Sequence, residues 1–111
     1  MDFIVSKNND VAIVTTNVAK LNTTNSSSLK SELVLLGKEN INKIVIDMSS
    51  TKYCDSSGLS AILIANRLCK DNGGKFFLCG LMPNVQKLIE IAQLDRVLNI
   101  TVNKEDALAK I

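Results

Sequence analysis

Residues 44–59 decide how this chain folds: Ile44-Val45-Ile46-Asp47-Met48, then Ser49-Ser50-Thr51-Lys52-Tyr53-Cys54, then Asp55-Ser56-Ser57-Gly58-Leu59. The first five form an apolar run broken only by Asp47, the pattern of a strand covered on both faces. Ser49-Ser50-Thr51-Lys52 reads as a loop, and Tyr53-Cys54 leads into the next segment. Asp55-Ser56-Ser57-Gly58 opens a stretch in which Leu59, Ile62, Leu63, Asn66, Arg67 and Cys69 recur with helical periodicity as far as Lys70. Asp71-Asn72-Gly73-Gly74 stops that helix. Lys75-Phe76-Phe77-Leu78-Cys79 follows as another strand, which completes a β-α-β unit.

The pattern extends outward on both sides. Upstream, Phe3-Ile4-Val5 and the β-branched run Val11-Ala12-Ile13-Val14-Thr15-Thr16 flank a turn at Lys7-Asn8-Asn9-Asp10, and predict a hairpin. Asn22-Thr23-Thr24-Asn25-Ser26 offers several helix caps, and Leu29, Leu33, Leu35 and Leu36 follow near helical spacing. Gly37 falls late in that segment, where it is expected to loosen the last turns. Downstream, Gly80-Leu81-Met82-Pro83 turns the chain, with Pro83 suited to a first helical turn. Val85, Leu88, Ile89 and Ala92 mark a helix over 83–92. A short strand is expected over 97–100 and a final helix over 103–109, capped by Asn103. The order β-β-α-β-α-β-α-β-α predicts an α/β fold. It is a mixed, mostly parallel sheet with an N-terminal hairpin and about four helices, in one domain over 1–111.

Composition narrows the chemistry. The 111 residues are 46% hydrophobic but only 4% aromatic, so the core is aliphatic. Thirteen Lys and Arg against eleven Asp and Glu leave +2, too little for a nucleic-acid binder. There is no histidine. Ser-His-Asp and Cys-His catalysis therefore drop out, as do most zinc sites. Cys54, Cys69 and Cys79 lack C-x-x-C spacing and read as reduced, packed thiols. No apolar run reaches the ~20 residues of a membrane span, and the opening MDFIVSKNND does not read as a leader. The expectation is a soluble, cytoplasmic protein with no metal and no cofactor.

Asp55-Ser56-Ser57-Gly58 admits two readings. It is a helix cap, in which Asp or Ser accepts from free backbone N–H groups for roughly 1 kcal/mol. It is equally a place where an exposed hydroxyl meets the positive end of a helix, so that a phosphate added there is tolerated by the chain itself. At an interface the same phosphate, about −1.5 to −2 in charge, repels an acidic or apolar partner.

With these residues in view, the stretch over 44–100 closely resembles the STAS domain of bacterial anti-sigma factor antagonists. The resemblance rests on the strand ending in Asp47, the D-S-S-G-L helix start, Gly73-Gly74-Lys75 and the Leu81-Met82-Pro83-x-Val85 turn. It implies a protein-binding switch with no catalysis of its own. In that family the antagonist binds an anti-sigma factor that is also a serine kinase. The kinase phosphorylates the first serine of the motif, here Ser56, and a PP2C-type phosphatase restores it. The resemblance assigns partner binding to Asp55, Ser56, Ser57, Gly58, Leu59 and Asn22. Asp55 would position the hydroxyl, while Ser57 and Gly58 would complete the helix start and leave room for the partner. Family members often carry Gly-x-Leu-Asp after the second strand. Here the run is Ala19-Lys20-Leu21-Asn22, so the acid is a neutral Asn22 that caps a helix equally well. A second implied role is a non-phosphorylated STAS subunit of a lipid-transport ATPase, acting as a structural clamp. No nucleic acid and no membrane insertion are expected, and a free sheet edge leaves room for a weak homodimer.

Other chemistries lack their parts. A receiver-type phospho-aspartate at Asp47 needs an acidic pair after the first strand, and Val14-Thr15-Thr16-Asn17 has none, so Asp47 reads as ordering its loop. A cysteine phosphatase at Cys54 needs an arginine six residues on, where Ser60 stands. Gly73-Gly74 is followed by no Gly-Lys-Ser/Thr and reads as a helix stop.

Overall fold

A computed structural model describes residues 1–111. Its elements, in order, are β1 (Phe3–Asn8), β2 (Val11–Thr16), β3 (Lys20–Leu21), α1 (Ser26–Lys38), β4 (Lys43–Asp47), β5 (Tyr53–Cys54), α2 (Ser56–Asp71), β6 (Lys75–Cys79), α3 (Pro83–Ile91), a 3₁₀ turn (Leu94–Arg96), β7 (Ile100–Thr101) and α4 (Lys104–Lys110). Five strands form one sheet in the order β1-β2-β4-β6-β7. Only β1 against β2 is antiparallel; the other pairs are parallel, each joined through a helix. The expected α/β fold, its hairpin and its four helices are all present.

The hairpin turn is tighter than the polar cluster suggests. Asn8 pairs with Val11, which leaves a two-residue loop of Asn9 and Asp10. Asn9 takes φ 59°, a left-handed conformation that asparagine tolerates better than most residues. The apolar run of β4 is covered on both faces. Ile44 and Ile46 join Ala12, Val14, Phe76 and Leu78 in the main core beneath α1, α2 and α3. Val45 points the other way, with Phe77 and Cys79, under Ala107 of α4. Three helices on one face and one short helix on the other make the two cores unequal.

Several boundaries differ from the sequence reading, each for an identifiable reason. On α1 the buried stripe is Leu29, Leu33 and Leu36, whereas Leu35 is 55% exposed. Adjacent residues lie about 100° apart on a helix, so only one leucine of the pair can face the core. Gly37 does not loosen this helix: α1 continues to Lys38, and a Cβ at Gly37 would make ordinary contact with Leu68 of α2. The strand expected over 97–100 starts only at Ile100, as β7 (Ile100–Thr101); residues 97–99 are irregular and follow the 3₁₀ turn of Leu94–Arg96. Leu98 leaves the sheet to bury its side chain in the main core, and pairing with β6 resumes only at Ile100. The final helix starts as expected, with Asn103 Oδ1 accepting from Asp106 N at 2.8 Å.

Tyr53-Cys54 and Lys20-Leu21 form a second, two-stranded parallel sheet, β3 with β5. Neither pair carries a strand pattern in its own sequence. This small sheet positions the candidate site.

Candidate functional site

The site begins where β4 ends. Asp47 Oδ1 accepts from Ser49 N at 3.0 Å and so orders its loop, as the sequence reading expected. Gly80, at φ +71°, passes so close that a Cβ there would lie 2.7 Å from the same oxygen. Thr51 is buried, its hydroxyl 2.6 Å from that of Thr16 and 2.7 Å from the Val18 carbonyl. Thr16 thus donates to Thr51, which donates in turn to Val18. This chain of two hydroxyls pins the loop to the end of β2, a role that a reading of Ser49-Ser50-Thr51-Lys52 as plain loop missed. Beyond it the Ala19 carbonyl accepts from Lys52 N and Tyr53 N at 2.8 and 3.1 Å, and the Leu21 carbonyl accepts from Asp55 N at 3.1 Å. The β3–β5 register therefore delivers Asp55 to the head of α2 in an extended conformation, at φ −108° and ψ −173°.

There Asp55 caps the helix. One carboxylate oxygen, Oδ1, accepts from the Ser57 hydroxyl at 2.6 Å, from Ser57 N at 3.0 Å and from Gly58 N at 3.1 Å. The Ser57 hydroxyl, with the Gly58 amide next, holds this carboxyl below the usual carboxylate range. Gly58 is buried against β3 and β5; a Cβ would lie 2.6 Å from Cys54 Sγ and 2.9 Å from the Leu21 carbonyl oxygen. The space that a side chain would need at Gly58 is thus filled by this chain itself. Leu59 is also buried, in the main core.

The two serines of the motif have separate environments. Ser57 is half-buried and tied to Asp55. Ser56 is exposed, and no intramolecular hydrogen bond engages its hydroxyl. It stands on the first residue of a sixteen-residue helix, where backbone N–H groups and the dipole favour negative charge.

Beside Ser56 lies an open cleft of about 420 Å³ lined by Lys20, Leu21, Asn22, Tyr53, Cys54 and Asp55. Asn22 and Asp55, more than thirty residues apart in sequence, meet here because they continue the paired strands. Asn22 is not the cap of α1. Its Oδ1 accepts from Thr24 N at 3.0 Å and Thr24 Oγ1 at 2.6 Å, closing a turn of its own. Asn25 occupies the cap position of α1, and its side chain bonds to Asn22 N and the Lys20 carbonyl instead of to the helix. Lys20 Nζ lies 5.9 Å from the centre of the Tyr53 ring, so the rim presents a cation over an aromatic face. Burial, reinforced by the Asp55 carboxylate, pushes the Cys54 thiol up to about 12. Burial likewise holds Cys69 at about 11 and Cys79 at about 12. All three are packing groups at neutral pH, not thiolates.

No helix of the structure is long and apolar enough to cross a membrane.

Comparison with known proteins agrees with this architecture. The family model of the STAS domain matches residues 3–107. An anti-sigma F factor antagonist of Paenibacillus polymyxa is 31% identical over 68 residues, 61% of this chain and 58% of that protein. The crystal structure of the Thermotoga maritima protein TM1081 superposes with a TM-score of 0.91 at 25% identity, covering 98% of this chain and 93% of that one. The anti-sigma factor antagonist SpoIIAA in its unphosphorylated form gives a TM-score of 0.77 at 14% identity, over 97% of this chain and 96% of that one, a likeness of fold. The family model spans the fold from the N-terminal hairpin into α4, and this chain belongs to the STAS-domain family, as its sequence resemblance to anti-sigma factor antagonists indicated.

Proposed function

We propose that this protein is an anti-sigma factor antagonist that works as a phosphorylation-controlled partner switch. In its unmodified state the surface around Ser56 binds an anti-sigma factor that is also a serine kinase, and so frees a sigma factor. Phosphorylation of Ser56 ends the interaction, and a PP2C-type phosphatase restores it. Asp55 and Ser57 hold the helix end rigid, Gly58 and Leu59 seat it on the core, and Asn22 forms the opposite wall of the contact surface.

One observation carries this reading: Ser56 is exposed with a free hydroxyl, while Ser57 is bound by Asp55. A kinase needs a hydroxyl oxygen that can reach the γ-phosphate, bond to it as ADP departs and give up its proton, and of the two motif serines Ser56 is the one not already bonded within the molecule. Added phosphate, about −1.5 to −2 in charge, sits at the positive end of the α2 dipole and leaves the fold intact. A partner packed on the same surface meets that charge together with Asp55, and is repelled. The relatives support the reading: the Paenibacillus protein is named an anti-sigma F factor antagonist, and the fold neighbour SpoIIAA is known in both an unphosphorylated and a phosphorylated form.

The test is mass spectrometry after incubation with a cognate anti-sigma kinase and ATP. The expected result is a gain of about 80 Da, one phosphoryl group, in wild type and in Ser57→Ala but not in Ser56→Ala. A gain that survives Ser56→Ala, or none with the cognate kinase, overturns the switch.

A further inference from the structure

The largest groove of the molecule, about 840 Å³, shares no residue with the Ser56 cleft and runs along the outer edge of β7 between α3 and α4. Leu81, Ile89 and Leu98 form its apolar base. Glu90, Asp95 and Asp106 line it against a single cation, Lys110. That balance inverts the +2 of the chain as a whole.

The two edges of the sheet are not alike. On β1, Lys7 pairs with Glu39 at 2.6 Å and Ser6 and Asn8 add polar side chains. A lysine on an edge strand blocks pairing with another chain. β7 itself carries no charged residue. Ile100 and Val102 are 36% and 80% exposed, and four of the nine large exposed apolar residues fall within 91–102, where they concentrate at this end of the fold.

We propose that the β7 edge is a second docking surface, which takes an extended segment of a partner protein that carries basic side chains on both of its faces, with apolar ones between them. The segment adds as a strand: its backbone pairs with the outward N–H and C=O groups of β7, its apolar side chains cover Ile100 and Val102, and its lysines or arginines meet Glu90 and Asp95 on the α3 side of the sheet and Asp106 on the α4 side. Charge argues against a second copy of this chain at the same place, since two β7 edges side by side oppose three carboxylates with three more. The surface is independent of phosphorylation at Ser56.

The test uses the full chain and a labelled short peptide of paired lysines and paired valines, which puts lysines on both faces of a strand, with the corresponding glutamate–valine peptide as control, followed by fluorescence anisotropy. The lysine peptide binds in a salt-sensitive manner and the glutamate peptide does not. Val102→Thr, and separately the combination Glu90→Gln, Asp95→Asn and Asp106→Asn, each weaken binding about tenfold. Ser56→Ala and Ser56→Asp leave it unchanged. Because an edge variant can perturb the fold, hydrogen exchange on the wild-type chain gives the second readout: the peptide protects the amides of Ile100 and Val102. Equal binding of both peptides, protection at β1 or at Ser56 instead, or concentration-dependent self-association through β7 in sedimentation overturns the proposal.

Discussion

Helices α1 and α2 both begin in a run of short polar residues, Asn22-Thr23-Thr24-Asn25-Ser26 in one and Asp55-Ser56-Ser57-Gly58 in the other. At α1 the run is turned inward. Asn25 and Ser26 are buried, Asn25 bonds to Asn22 N and the Lys20 carbonyl, and Asn22 holds Thr24. Those groups shape a turn, and none caps the helix. At α2 a single carboxylate oxygen satisfies two backbone amides and one hydroxyl, which leaves the neighbouring hydroxyl with nothing to do inside the molecule. Ser27 and Ser28 of α1 are exposed as well, but no carboxylate organises their helix end. A serine becomes available for signalling when its neighbours have already met the demands of the backbone.

The harshest way to break this contrast is Gly58→Ala. The added carbon lies 2.9 Å from the Leu21 carbonyl oxygen, and backbone cannot step aside as a flexible side chain does. We expect a loss of about 3 kcal/mol, a fall of roughly 12 °C in the midpoint of thermal unfolding, followed by circular dichroism. Ser56 phosphorylation slows as well, because the helix start shifts against β3 and β5; an unchanged midpoint would show that the two-stranded sheet does not fix this end of α2.

A smaller effect is expected for Asp55→Ala, which makes the head of α2 as poorly capped as that of α1. The midpoint falls by roughly 4 °C at neutral pH. The sign of its pH dependence follows from the lowered pKa of Asp55. Its contribution is fully present above the unfolded-state value of about 3.9 and is lost as pH falls through the lower folded-state value. The difference between wild type and Asp55→Ala in unfolding midpoints therefore narrows on acidification into that range. A difference that widens there would mean the carboxylate is not the cap.

The smallest effect on stability belongs to Ser56→Ala, within about 2 °C of wild type, because the hydroxyl has no partner in the fold. The same substitution has the largest effect on signalling. A substantial loss of stability would place Ser56 with the inward-turned residues of α1 instead.

Much of this arrangement was legible from the residues. The continuous run Ile44-Val45-Ile46 announced a strand buried on both faces, and Val45 against Ala107 is the second face. Asn103 and Pro83 marked their helix starts because a cap and a missing N–H are local properties. Leu35 was harder: a pair of adjacent leucines satisfies helical spacing either way, and only the position of the sheet selects Leu36. The β3–β5 pair was invisible because two residues carry no periodicity. What makes Lys20-Leu21 a strand is Tyr53-Cys54 beside it.

The D-S-S-G motif itself follows the same division. The sequence alone determined that a capped helix begins after a buried strand and that no histidine is available to the site. Both depend on residue type and nearest neighbours. How Asp55 is delivered to the head of α2, why Gly58 admits no side chain, and why Asn22 stands opposite Asp55 were decided by tertiary structure. Each depends on a distance between segments more than thirty residues apart in the chain, and such distances exist only once the sheet has brought those segments together.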